Sequence, residues 1–363
     1  MRATRGQVLA LRARATQLGR AVGTLEDTAV LDVGVQDTGA DGAAWALAQR
    51  GLDTTALADD ALVTVWALRG APHVYRRADL PTVAAALLPW SEADAAKRIF
   101  DAAKPLKAAG IPVTEAMEVV AGAMRELVTA PMVKGEMSGR LAERLPAPYL
   151  RSCVPCGAVH LYEQPFRLGA LRAGLELQPG TSPPVLVPVP GLAPDPRPAP
   201  RHDLVRGYLR LLGPATPKQV AAWADAPVRD VTARWPSDAV EVEVEGERRW
   251  LLADDVALLD AGPVEGVHLL GAYDPLLQAR DRDLLVPDRA RAKELWPVLG
   301  RPGAVLVDGE VAGTWRAQQR RGLTVTATVW ASPRRRVRDG VHEQAGLLAA
   351  SRGLRLGGVE LQV

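Results

Sequence analysis

The 363-residue chain has very little cysteine: Cys153 and Cys156 are the only two. Two thiols cannot supply a disulfide framework, so a reducing, cytoplasmic setting is expected. Long apolar runs are missing as well. Nothing approaches the ~18 consecutive apolar residues of a membrane span, which excludes an integral membrane protein. The opening Met1-Arg-Ala-Thr-Arg-Gly-Gln lacks the apolar core of a signal peptide, and none is expected. Lysine is scarce, six of 44 cations, the other 38 being arginine. A strong net charge is also absent. The formal +2, taken alone, argues against a dedicated nucleic-acid binder. What is present is ordinary globular material, 48% apolar and 24% charged, long enough for two to three small domains.

The position of the arginines matters more than their number, since GC-rich coding alone favours arginine over lysine. Residues 1–20 hold Arg2, Arg5, Arg12, Arg14 and Arg20 and no acid. Val8, Leu11, Ala15 and Leu18 recur among them near helical spacing, which predicts an amphipathic helix with a basic outer face. Residues 316–338 hold seven arginines and no acid, and between the clusters Leu323–Trp330 alternates apolar residues with threonine as a half-buried strand does. Acids concentrate elsewhere, at Asp53, Asp59 and Asp60 and at Glu241, Glu243, Glu245 and Glu247. The +2 therefore reads as a sum of opposed patches. Arginine forks suit phosphate, while a merely solvated basic surface is the alternative for each cluster.

Residues 183–200 hold eight prolines, a composition read as an extended connection between two halves and incompatible with helix or central sheet. The first half reads mostly helical and the C-terminal part β-rich, with Asp308-Gly309 as a hairpin turn and a small barrel or curled sheet as the expected form. Three segments repeat one plan, short helices with a tight turn and then a hairpin. They are Glu26–Val33 with Gln36–Gln49, Ala130–Arg144, and Leu212–Trp235. This is the winged-helix order, whose second helix can enter a major groove. Three-helix packing without a DNA role is the alternative. The expected organisation is α+β: winged helices at 1–90, 91–182 and 202–255, a proline-rich linker at 183–201, and a β-barrel-like domain at 256–363.

Five segments in fixed order carry a family resemblance: Gly34-Val-Gln36-Asp-Thr38, Leu68-Arg69-Gly70-Ala-Pro-His73, Gly207 to Thr216, Gly271-Ala-Tyr-Asp274-Pro-Leu-Leu, and Val307 to Arg316. Together they resemble the AlkZ/YcaQ family over nearly the whole chain. The resemblance implies three tandem winged helices and a C-terminal β-barrel in a bacterial, cytoplasmic, monomeric protein that binds double-stranded DNA. It also implies a monofunctional glycosylase that removes N-alkylated purines, interstrand crosslinks included, without metal or cofactor. N-alkylated purines are already cationic, so the leaving base needs no general acid. The protein has to hold a water against the anomeric carbon as positive charge develops on the sugar.

The family places a Gln-x-Gln or Gln-x-Asp pair in its first winged helix for this purpose. Here the tripeptide is Gln36-Asp37-Thr38, and the second polar residue is a threonine. Two readings stand side by side. Gln36, with Asp37 or Thr38, positions the water; or Thr38 and Asp41 form a capping box for the helix that follows, with Gly51 at its C-terminal end. The second reading makes the chain a catalytically inactive winged-helix DNA-binding protein. Candidate DNA contacts are Arg12, Arg69, His73, Lys134, Lys218, Arg280, Arg282, Arg316, Arg320 and Arg334. Arg69 and His73 end a strand-like segment, where His73 reads alternatively as a buried, satisfied histidine. Asp274 with Arg280 and Arg282 reads alternatively as a turn-stabilising ion pair. Cys153, Cys156 and His160 supply only three ligands, and no metal is expected. Trp45, Trp66, Trp223, Trp250 and Trp315 fall in patterned segments and read as core.

Overall fold

The first helix is delimited by its own residues. Thr4 Oγ1 accepts from the Gln7 backbone N–H at 3.3 Å and Gln7 Oε1 accepts from the Thr4 N–H at 2.9 Å, a reciprocal cap that opens Arg5–Ala15. The structure is a computed structural model that describes every residue except Asp41, Asp59, Cys156 and Pro196, and the side chain of Ala56. The chain groups into two units. One comprises Met1–Leu57, Gly207–Gln219 and Pro236–Val363; the other comprises Ala58–Arg206 and Val220–Trp235.

In the first unit, Val8 and Leu11 of the opening helix meet Val242, Val244 and Leu251 from a hairpin, Ala239–Val244 with Glu247–Leu252. The strand Arg2–Ala3 runs parallel to Ala239–Val244 at its edge. A second sheet has the order Val267–Leu270, Gly303–Val307, Glu310–Gln319, Leu323–Val329, Leu356–Gln362. Asp308-Gly309 turns the hairpin as expected, both residues left-handed. Burial along Leu323–Val329 alternates residue by residue, as its threonine pattern predicts.

The expected barrel does not form. The five strands end at two different edges, and among the described residues these edges do not pair. The reason is the helix Arg335–Ser351, whose Val341, Ala345 and Leu348 pack on Leu269, Val305 and Val325. A helix covering one face buries the core that closure would otherwise have to enclose. It also delivers Leu356–Gln362 parallel to its neighbour, a connection that needs such a crossover.

The second unit places antiparallel strands in the order Pro72–Arg76, Leu62–Trp66, Leu175–Leu177, Val185–Pro188, Met132–Val133. The helix Val113–Leu127 buries Val113, Ala116, Met117, Val120, Ala121, Met124 and Leu127, one stripe at helical period. That stripe faces Phe166 and Ala170 of the helix Glu163–Arg172 in one core. The proline-rich stretch is more than a connection: Val185–Pro188 is a strand with partners on both sides. Its ladder succeeds because neighbouring strands donate to proline-independent acceptors, as Lys134 N–H does to the Pro184 carbonyl and Gln178 N–H to the Val185 carbonyl, both at 2.9 Å.

The helices expected over 26–33 and 36–49 are much reduced. The chain forms a single 3₁₀ turn, Ala29–Asp32, a short strand, Val35–Gln36, and the helix Ala43–Ala48. Glycines 34, 39 and 42 interrupt the pattern there.

Candidate active site

Gln36 ends a two-residue strand, and the next two residues lead toward the helix Ala43–Ala48. All three side chains of Gln36-Asp37-Thr38 are half-buried. Gln36 Nε2 donates to Thr38 Oγ1 at 3.1 Å, which fixes the amide and leaves Gln36 Oε1 as an acceptor. Asp37 is engaged elsewhere. Its Oδ1 accepts from the Ala43 backbone N–H at 3.0 Å, at the start of the helix. Gly42 permits this approach, since a Cβ there would lie 2.2 Å from Asp37 Oδ1. Capping therefore falls to Asp37, and Thr38 bonds to Gln36. Asp41, the other half of the expected capping box, lies outside the described residues. Gly51 does follow the helix in a left-handed conformation, φ +75.

This helix is firmly held within its unit. Trp45 Nε1 donates to the Leu269 carbonyl at 2.6 Å. Arg50, fully buried, forks onto Asp274 through two 2.9 Å bonds and donates to the Thr16 and Ala46 carbonyls. Arg50 is thus the partner of Asp274, replacing the Arg280 and Arg282 expected from sequence proximity.

Thr38 lines a hollow of about 310 Å³ together with Tyr273, Arg301, Trp315 and Arg316. Arg301 lies 5.4 Å over the Tyr273 ring, and Arg316 Nη2 donates to the Gly300 carbonyl at 2.6 Å. Arg282 stacks 4.9 Å over Trp296. Burial, then the positive charges of Arg301 and Arg280, destabilise the Arg282 guanidinium and lower its pKa. The hollow is therefore flanked by closely spaced cations, suited to phosphate. Arg301 and Tyr273 were not among the expected residues. Tyr273 lies within the Gly271-Ala-Tyr-Asp274-Pro-Leu-Leu segment that carries the resemblance, whereas no sequence signal singles out Arg301.

The other expected residues divide. Arg12 is a correction: at 0% exposure it forks onto Asp281 at 2.9 and 2.7 Å and donates to the Gly213 carbonyl, so it cannot reach a phosphate. Arg320, Arg334 and Lys218 are exposed. Arg280 is half-buried, its backbone N–H donating to Tyr208 Oη at 2.9 Å.

In the second unit, Arg69 adopts φ 58 and ψ 20, left-handed backbone that strains a non-glycine residue, and its Nη1 donates to the Trp223 carbonyl. His73 is buried, with Nδ1 2.9 Å from the Ala71 carbonyl. Desolvation, against that carbonyl and with Arg69 nearby, pushes its pKa down to about 4, so it is neutral at pH 7. This fits the buried, satisfied histidine rather than a phosphate contact. Lys134 pairs with Glu163 at 2.6 Å, an acid that also takes Arg167 at 2.6 Å. Its charge is answered within the protein, while its side chain keeps partial exposure.

Cys153 and His160 lie on the hairpin Leu150–Cys153 with Ala158–Leu161, and Cys156 lies outside the described residues. Among the described residues, no group of three or more His, Cys, Asp or Glu could hold a metal ion, and no helix is long and apolar enough to cross a membrane.

The mixed α+β fold is shared with a solved DNA glycosylase structure. The chain is similar to the Streptomyces sahachiroi DNA glycosylase AlkZ, with a TM-score of 0.74 and 23% identity, over 99% of this chain and 100% of that one. The model of the family described as DNA glycosylase AlkZ-like matches residues 25–351, and the chain belongs to that family. No curated protein matches it.

Proposed function

We propose that this protein hydrolyses the N-glycosidic bond of N-alkylated purines in double-stranded DNA, crosslinked purines included. The observation that carries this reading is the Gln36 amide pinned at 3.1 Å by Thr38, which itself lines the hollow with Arg301 and Arg316. Gln36 Oε1 and the Thr38 hydroxyl hold a water. Its oxygen bonds to C1′ as the C1′–N bond breaks; the cationic purine leaves with the electron pair as a neutral base, and the water's extra proton passes to solvent. The amide and hydroxyl dipoles face the positive charge that develops on the sugar. Asp37 acts through the helix it caps, as a positioning residue.

DNA phosphates are taken by exposed or half-exposed cations: Lys218, Arg280, Arg282, Arg316, Arg320 and Arg334. Along the chain, helices Leu204–Leu212, Pro217–Ala224 and Val228–Thr232 precede the hairpin Ala239–Leu252, the sequential order of a winged helix. Thr216 and Gln219 cap its middle helix reciprocally, at 2.8 and 3.3 Å. The same reading takes three tandem winged helices in a monomeric cytoplasmic protein, with no metal or cofactor in the reaction.

The test is incubation with duplex DNA carrying N7-methylguanine or a nitrogen-mustard crosslink, followed by detection of abasic sites. Wild type should release base, and Gln36→Ala should lower the rate by about 10² or more, the scale of losing an aligned polar group. Binding without release would instead favour the second reading, an inactive DNA-binding protein. Thr38 at the position of the family's second Gln or Asp is the observation on its side.

A further inference from the structure

The loop between the helix Arg289–Leu295 and the strand Gly303–Val307 exposes Val298 at 95% and Leu299 at 85%. Among the described residues no other two consecutive large apolar side chains are so exposed. Both ends of the loop are secured. Before it, the Trp296 N–H donates to the Ala292 carbonyl at 2.9 Å and the Trp296 ring lies under Arg282. After it, Arg316 clasps the Gly300 carbonyl, Arg301 lies over Tyr273, and Pro302 and Gly303 are buried. The tip is therefore a projecting feature on a rigid base. That base includes Gly300, Arg301 and Arg316, which line the same hollow as Thr38.

Two adjacent apolar side chains projecting this far from a fixed base are suited to insertion into an apolar layer, and the cations around their base limit the chemistry of what surrounds it. A surface that is apolar inside and anionic outside fits both. In duplex DNA, stacked bases lie between two rows of phosphates, and apolar side chains inserted at a base step unstack it. Arg301 and Arg316 are placed to hold the flanking phosphates while the tip enters.

We propose that Val298 and Leu299 form an apolar wedge that enters the base stack of duplex DNA beside the nucleotide presented to Gln36 and Thr38. The wedge opens the step next to the lesion and so presents the sugar's C1′ to the held water. This assignment rests on the reading of the site as a DNA glycosylase centre.

The experiment uses the full chain and a duplex with 2-aminopurine next to an N7-methylguanine, reading fluorescence and base release together. Wild type should raise the fluorescence as the step unstacks. The double variant V298S/L299S should lose that gain by roughly an order of magnitude and slow release comparably, while an unchanged melting temperature shows it folds. V298I/L299M, which keeps apolar bulk, should restore both. Gln36→Ala should abolish release and keep the gain.

A gain that V298S/L299S leaves intact overturns the wedge, as does release by wild type with no gain. So does V298S/L299S losing adsorption to anionic phosphatidylserine vesicles with DNA unstacking unaffected, which would assign the tip to a lipid surface. A gain without release leaves the wedge standing and overturns the glycosylase reading. Neither signal in wild type overturns both.

Discussion

Arg12 and Arg320 each lie on a stretch of sequence free of acid, within the same unit of the fold, and they meet opposite fates. The arginines of residues 1–20 are all engaged by the protein. Arg2 reaches Glu243 at 3.2 Å, Arg5 forks onto Glu310 at 2.8 Å, and Arg12 forks onto Asp281. Arg14 donates to the Gly262 and Pro263 carbonyls, and Arg20 pairs with Asp27 at 2.9 Å. The arginines of 316–338 stay at the surface, their strongest pairing being Arg336 with Asp308 at 2.5 Å. The expected basic outer face of the first helix is therefore largely answered within the protein, Arg5 by Glu310 and Arg12 by Asp281, and before the helix Glu243, one of the glutamates expected to concentrate elsewhere, takes Arg2. Basic density along a sequence predicts an anion surface only where no carboxylate returns from elsewhere in the chain.

The sharpest way to break this contrast is Asp281→Ala. Asp281 answers Arg12 and Arg249 together, both buried, and guanidinium cannot discharge. Removing it should cost about 3–5 kcal/mol in urea unfolding, because Arg12 remains buried without its counter-charge and Arg249 keeps only the exposed Glu247 at 3.0 Å. A loss below ~1 kcal/mol would show that these arginines are not held as described.

His73 sharpens the contrast from another side, as a buried base that sheds its proton instead of recruiting an acid. Its folded pKa of about 4 lies below the unfolded value of 6.5, so acid favours the unfolded chain. The stability it contributes is present above pH 6.5 and fades as the pH falls toward 4, by about 3 kcal/mol if nothing else titrates. His73→Phe should flatten this part of the stability–pH curve; an unchanged curve would contradict the neutral assignment.

The surface cluster should behave in the reverse manner. Arg320→Gln and Arg334→Gln should each change folding stability by less than ~0.5 kcal/mol. Each should also weaken DNA binding without sequence preference and shallow the salt dependence by about one unit of slope. A full slope in both variants would remove the 316–338 face from the DNA contact. The smallest effect is expected for Arg14→Ala, an exposed side chain bonded only to carbonyls. Neither DNA affinity nor stability should move by more than a few tenths of a kcal/mol.

Local pattern alone fixed a good part of this protein. Thr4 with Gln7 and Thr216 with Gln219 set helix starts, Asp308-Gly309 a hairpin, and the threonine alternation of Leu323–Val329 a half-buried strand. All of these depend on neighbours within a few residues. Five ordered motifs, read together, pointed to the family.

What the tertiary structure decided depends on groups far apart in sequence. Asp281 lies 269 residues from Arg12 and Asp274 lies 224 from Arg50. No spacing rule connects such partners, so charge density along the chain does not by itself mark a binding face. The C-terminal sheet stays open because a helix from the same segment covers its core, and strand alternation is the same in a sheet that closes and one that does not. At Gln36-Asp37-Thr38 the residue types left two roles open for Thr38. The fold adds the partners that residue types cannot give, Asp37 Oδ1 on the Ala43 N–H and the Thr38 hydroxyl on the Gln36 amide.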